Sequence, residues 1–168
     1  MKSSSYGLER LTDNHAFDFF DCGEPSLDEW AQKHAHKDQT LGKSVTHVWP
    51  DDGGEYVVGY FTLLPTIVRA DDDAGLFRRI KPKSFQGPEV PGVLVGKLAL
   101  DQSLRGQGYG EQLLADALVV ASEAMHLIGG VHIVIDPMED RSSLRRWYVD
   151  QGFREIDGTD RLYLSLRN

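Results

Sequence analysis

Cysteine is almost missing from this sequence: among 168 residues only Cys22 carries a thiol, so no intramolecular disulfide can form and a reducing compartment is expected. Long apolar runs are missing too. None approaches the roughly 20 residues that span a bilayer, and the N-terminal "MKSSSYGLERLTD" lacks the apolar segment of a secretory signal, so a cytoplasmic protein with no membrane partner is expected. Basic charge is in deficit, with 18 Lys and Arg against 26 Asp and Glu and a formal net charge of −8. That balance argues against a generally nucleic-acid-binding surface, although it leaves room for a local basic patch. The six histidines show no metal-ligand spacing, and with one cysteine no metal site is expected. Neither an internal repeat nor a low-complexity tract is found. The length and the 40% hydrophobic content suit one globular domain over residues 1–168.

What is present alternates between helix and strand patterns. "SLDEWAQKHAHKDQT" (26–40) opens with Ser26 and Glu29 in capping-box spacing after Pro25, and Leu27, Trp30, Ala31, His34 and Ala35 fall on one helical face. "SVTHVW" (44–49) and "YVVGYFTLLP" (56–65) read as strands joined by the turn "PDDGGE". Residues 70–92, with charges of both signs, several prolines and no sustained period, read as a long mobile connection. "GVLVGKLALD" (92–101) is apolar on both faces and reads as a central strand. A second amphipathic helix carries Leu113, Leu114, Ala117, Leu118 and Ala121, and "VHIVIDP" (131–137) is another buried strand. "SSLRRWYVDQGF" (142–153) is a short helix stopped by Gly152, and "RLYLSLRN" closes the chain as a strand. The class is therefore α/β or α+β with a mixed sheet.

Between the central strand and the second helix lies "DQSLRGQGYGEQLLADALVV" (101–120), with glycines at 106, 108 and 110 behind Arg105. Glycines there let backbone amides approach a ligand, and amides at a helix start, with the helix dipole, form an anion site. A phosphate or diphosphate is the expected guest. The loop is not a Walker A sequence, because Glu111 and Gln112 stand where lysine and serine or threonine are needed. Nor does it match the G-x-G-x-x-G dinucleotide fingerprint. The plain alternative is an ordinary strand-to-helix turn.

Arg105-x-x-Gly108-x-Gly110 also matches the (Gln/Arg)-x-x-Gly-x-(Gly/Ala) signature of the GNAT N-acetyltransferase superfamily, and "WYVDQGF" (147–153) resembles the aromatic helix end near the C-terminus of those enzymes. The opening "FDCGEPSLDEW" (20–30), followed by Ala35, Gln39 and Gly42, resembles that of the acetyltransferase toxins of bacterial toxin–antitoxin modules. "GKLALDQSLRGQGYG" is similar to their "GRLAVDxxxQGxGxG". The resemblance runs over most of the chain, least clearly at 70–90. It implies a GNAT fold, with a mixed central sheet flanked by helices. Acetyl-CoA would be the cosubstrate, its diphosphate held by Arg105, Gly106, Gln107, Gly108, Tyr109 and Gly110, and its pantetheine arm and thioester carbonyl by main-chain groups near Leu98 and Leu100. The acceptor would be the α-amino group of an aminoacyl-tRNA, whose acetylation blocks translation. A small DNA-binding antitoxin and a homodimer are implied as partners.

Acetyl transfer from a thioester to an amine needs a neutral amine, a polarised carbonyl and a proton for the departing thiolate. The resemblance aligns Tyr148 with the tyrosine placed beside the sulfur, and a phenol with a pKa of about 10 is protonated at neutral pH and suits a general acid. Its other reading is a ring filling the space between helix and sheet. No general base stands out: Glu139, Asp140 and His132 read as solvated loop or strand-end groups. For a polyanionic acceptor the candidates are Lys33 and Lys37 on the first helix, Arg78 and Arg79 in the long connection, and Arg145 and Arg146 on the last helix. Each reads equally well as a solvated charge. The acidic balance leaves two other readings open: an acetyltransferase of a small amine or protein N-terminus, and a non-catalytic acetyl-CoA-binding regulator.

Overall fold

The computed structural model describes residues 6–137, 142–155 and 159–165. In chain order the elements are β1 (Glu9–Arg10), α1 (Pro25–Thr40), β2 (Val45–Pro50), β3 (Val57–Arg69), α2 (Ala74–Ile80), β4 (Glu89–Leu100), a 3-10 turn (Gln102–Leu104), α3 (Tyr109–Ile128), β5 (His132–Ile135), α4 (Ser142–Asp150) and β6 (Leu162–Ser165). The sheet order is β1-β2-β3-β4-β5-β6. Pairing of β4 with β5 is parallel, whereas β1–β2, β2–β3 and β5–β6 are antiparallel. A parallel neighbour cannot be reached by a hairpin, and α3 is the crossover that the geometry demands. No described helix is long and apolar enough to cross a membrane.

The chain divides into two compact units, one of Met1–Leu64 with Gly96–Ala117 and one of Pro65–Val95 with Leu118–Asn168. In the first, Leu11, Phe17, Phe20, Cys22, Ala31, Ala35, Val48, Val57, Tyr60 and Ala99 form the core, with Leu27 and Trp30 packed against it. Helix α1 begins at Pro25, whose fixed φ suits the first helical position, with Glu24 as the extended N-cap. The expected capping box is not formed. Proline moves the helix start ahead of Ser26, whose hydroxyl instead donates to Glu24 (3.4 Å), while Glu29 pairs with Lys33 one turn on (2.6 Å). His34 is exposed, so the buried stripe of α1 is narrower than its sequence pattern. The turn between β2 and β3 forms as expected, with the Asp51 carboxylate accepting from the amides of Glu55 and Tyr56 (3.3 and 3.2 Å).

The second unit is built around Val68, Leu76, Phe77, Ile80, Val90, Val134 and Tyr163. Three of these residues correct the reading of 70–92 as a connection without period. Leu76, Phe77 and Ile80 are the buried side of α2, and the Asp73 carboxylate caps that helix by accepting from the Leu76 amide (3.3 Å). His132 is a second correction. It is fully buried in β5, neither ring nitrogen has a hydrogen-bond partner among the described residues, and burial pushes its pKa down to about 4, so the ring is neutral at pH 7. Its register partner is Gly92, where any Cβ would lie 2.6 Å from the His132 carbonyl oxygen and 2.7 Å from Nε2. Only glycine fits opposite that ring.

Candidate active site

In the first unit, β4 runs on past its partner. The β4–β5 ladder covers Gly92–Val95 against His132–Ile135, and Gly96–Leu100 have no partner on β5. That length of β4 contains Leu98 and Leu100, both half-buried, flanking the core residue Ala99. The Lys97 amide donates to the Thr62 hydroxyl (2.9 Å) just beyond the end of the β5 ladder.

Beyond Leu100 the chain is tightly held and then suddenly open. Asp101 accepts from the amides of Asp21 and Ser103 (both 3.0 Å), fixing the 3-10 turn. The Arg105 guanidinium donates to the Cys22 carbonyl, and the Arg105 amide donates to Gln102 (3.2 Å). Arg105 therefore spends its side chain and its amide on the protein, and acts as the upstream post of the loop. Gly106 and Gly108 follow with φ of +74° and +82°, where a side chain would be strained, and no described residue lies within 4 Å of a Cβ at either position. The amides of Gly106, Gln107 and Gly108 donate to no acceptor among the described residues. Helix α3 starts at Tyr109, so Gly110 already lies in its first turn. Three uncommitted amides in an open cradle at the head of a 20-residue helix fit a diphosphate by hydrogen bonding and by helix polarity.

In the second unit, "WYVDQGF" closes α4 by a Schellman cap. The Phe153 amide donates to the Tyr148 carbonyl (3.1 Å) and the Gly152 amide to that of Val149 (2.9 Å), with Gly152 at φ +105°. The aromatic contact that accompanies the cap is Tyr148 against Phe153, edge to face at 5.8 Å, and Trp147 meets the tyrosine ring edge-on at 5.0 Å. The motif thus anchors the Tyr148 backbone and ring together. Tyr148 is 4% exposed, and burial raises its pKa above the ordinary phenol value, so it keeps its proton at neutral pH.

Over 157 residues, 94% of this chain and 89% of the relative, the sequence is 35% identical to a tRNA-acetylating toxin of Mycobacterium tuberculosis. The chain belongs to this family of acetyltransferase toxins. Solved toxin structures share its fold. AtaT complexed with acetyl-methionyl-tRNAfMet matches at a TM-score of 0.80 and 23% identity, covering 95% of this chain and 94% of that one. A tyrosine-to-phenylalanine mutant of AtaT, bound to the C-terminus of the antitoxin AtaR and acetyl-CoA, matches at 0.75 and 22%, covering 95% and 92%. No protein-family model matches the chain. The expected fold class, a mixed sheet with helices, is the one observed.

The basic residues of this toxin-family chain divide by their commitments. On α1, Lys33 is paired with Glu29, whereas Lys37 is exposed without an ion pair among the described residues. Arg78 and Arg79 project from the last turn of α2, both exposed. Arg145 is a brace: it donates to the Glu155 carboxylate (2.8 Å) and to the carbonyls of Asp160 (2.6 Å) and Thr159 (3.3 Å). The Thr159 hydroxyl in turn donates to Asp73, the α2 cap (3.0 Å). Arg146 is exposed. Glu139 and Asp140 lie outside the described residues. Sequence reasoning passed over Lys97, next to Leu98. Its ammonium sits 4.3 Å from the centroid of the Trp30 ring, and burial lowers its pKa against the pull of Asp38. A lone lysine inside an otherwise apolar strand, "GVLVGKLALD", was the available signal. Among the described residues no cluster of three His, Cys, Asp or Glu could hold a metal ion.

Proposed function

We propose that this chain, as a single domain over residues 1–168, transfers acetyl from acetyl-CoA to the α-amino group of an aminoacyl-tRNA and so blocks translation. The observation that carries the reading is the 35% identity with a tRNA-acetylating toxin over 94% of this chain and 89% of the relative, and the open amides behind Arg105 support it by offering a place for the coenzyme's diphosphate. In this reading the amides of Gly106, Gln107, Gly108 and Tyr109, with Gly110 in the first turn, hold the coenzyme's diphosphate, and Arg105 and Gln107 shape the loop. Main-chain groups near Leu98 and Leu100, on the length of β4 that β5 leaves unpaired, receive the pantetheine arm and polarise the thioester carbonyl. When bound, acetyl-CoA supplies an acyl group activated as a thioester. The neutral amine attacks the carbonyl carbon, the C–S bond breaks as Tyr148 donates its phenolic proton to the departing sulfur, and the proton shed by the acylated nitrogen returns to Tyr148 through solvent. An aminoacyl ester's α-amine is partly neutral near pH 7, so no dedicated base is assigned. Lys33, Lys37, Arg78, Arg79, Arg145 and Arg146 are proposed to face the acceptor's phosphates, with Arg145 contributing through its brace. A small DNA-binding antitoxin, a homodimer and a cytoplasmic location complete the proposal.

The net charge of −8 favours a second reading, acetylation of a small amine or protein N-terminus. Incubation with labelled acetyl-CoA and total charged tRNA separates the two. Label on aminoacyl-tRNA is expected; label only on small amines or N-termini overturns the first reading. Tight CoA binding without any transfer would leave a non-catalytic regulator.

A further inference from the structure

The diphosphate loop is built from the residues least able to hold a shape, since each glycine adds backbone freedom that ligand binding must remove. No described residue lies within 4 Å of where a Cβ would stand at Gly106 or Gly108. Whatever order the loop has must come from its two ends. Upstream, Arg105 is tied to the Cys22 carbonyl and lies against Gly23. Downstream, the ring of Tyr109 meets two other aromatic rings. It lies edge-on to Tyr6, with centroids 5.5 Å apart and planes at 69°, and edge-on to Trp49, at 6.3 Å and 82°. Tyr6 completes the triangle by stacking on Trp49 at 5.5 Å and 17°.

Trp49 is the fixed member. It is fully buried in β2, and its indole N–H donates to Asp116 (2.8 Å), about two turns along α3 from Tyr109. Tyr6 comes from the start of the chain, far in sequence from the loop, and meets Tyr109 and Trp49 at once. Burial, and then the charges of Tyr109 and Asp52, raise its pKa above the ordinary phenol value.

We propose that Tyr6 is a positioning residue of the coenzyme site: by closing the ring triangle it fixes Tyr109, and through Tyr109 the downstream end of the Gly106–Gly108 amides. The inference rests on the reading that this loop binds the coenzyme. Tyr6 touches no reacting atom, so its effect falls on affinity and not on the chemical step. An edge or stacked aromatic contact corresponds to roughly a three- to ten-fold change in a binding constant.

The test compares wild type, Tyr6→Phe and Tyr6→Ala in the full chain, by calorimetric titration with CoA and with pantetheine (which lacks the diphosphate), alongside kcat, KM and Tm. Tyr6→Ala is expected to weaken CoA binding and raise the KM for acetyl-CoA roughly three- to ten-fold, with kcat and pantetheine binding unchanged, and Tyr6→Phe to restore wild-type values. A lowered Tm with CoA affinity unchanged makes Tyr6 a packing residue only and overturns the proposal. Equal losses for CoA and pantetheine also overturn it. If Tyr6→Ala does not fold, Tyr6→Leu is read in the same way. Failure of wild type to bind CoA defeats the underlying reading of the loop, whereas wild-type binding that Tyr6→Ala leaves intact defeats only the role of Tyr6.

Discussion

Two glycine sites in this chain owe their identity to opposite causes. Gly106 and Gly108 stand in open space, with no described residue near a Cβ and a backbone that side chains avoid. Gly92 stands in a filled one, with the carbonyl and ring of His132 where its Cβ would be. On the proposed reading, the first site gives up side chains so that a ligand can reach the main chain; the second gives one up so that a buried ring can be packed. The same chemical substitution should therefore report on binding at one and on folding at the other, and that separation can be tested.

The largest effect is expected at Tyr148, which is buried like His132 but is assigned chemical work. Tyr148→Phe removes one hydroxyl and keeps both ring contacts, so Tm and CoA affinity should hold while kcat falls about 10²- to 10⁴-fold. Steady-state kinetics with a thermal melt decides this; unchanged turnover would make the tyrosine a packing residue after all. Next is Gly108→Ala. A methyl group in the cradle should cost the loop a charge-assisted hydrogen bond and reduce CoA affinity about ten- to hundred-fold by calorimetry. Stability should fall by only about 1–2 kcal/mol from the left-handed backbone. Loss of folding with affinity intact in the residual folded protein would erase the distinction between the two glycine sites.

The packed site has its own pH signature. The buried His132 ring binds fewer protons than it does in the unfolded chain, so its contribution to stability is complete above its ordinary pKa near 6.5 and is lost as pH falls towards about 4. Across that interval the loss is roughly 3 kcal/mol. Urea midpoints measured at pH 7 and pH 4.5 should show it in wild type and show less of it in His132→Leu; equal slopes would mean that the ring is solvated. Smallest is Gly92→Ala, which should lower stability by about 1–3 kcal/mol through overpacking while leaving the CoA affinity of the folded protein unchanged. A selective loss of CoA affinity there would contradict the contrast from the other side.

The same contrast explains which features could be read from residues alone. "RGQGYG" and "WYVDQGF" carry local devices, glycines that set their own backbone at a helix head and a Schellman cap whose hydrogen bonds close within a few positions, so these two features are written in consecutive letters. Helix α2 was hidden because Leu76, Phe77 and Ile80 are too few to set a period among the charges of 71–83. His132 was misread because its burial depends on strand register with Gly92, and no local pattern carries register. The Arg105 tie to Cys22 and the Tyr6–Trp49–Tyr109 triangle link distant segments and become visible only in the fold. The capping box failed because one competing letter, Pro25, fixed the helix start.

The account turns on main-chain amides at Gly106–Tyr109 holding a diphosphate, and a paired titration addresses that directly: CoA and pantetheine, each added to the wild-type chain in a calorimeter. CoA should bind at least about a hundred-fold more tightly than pantetheine, since only CoA presents the anion to the loop. Equal affinities, or no CoA binding at all, would contradict it.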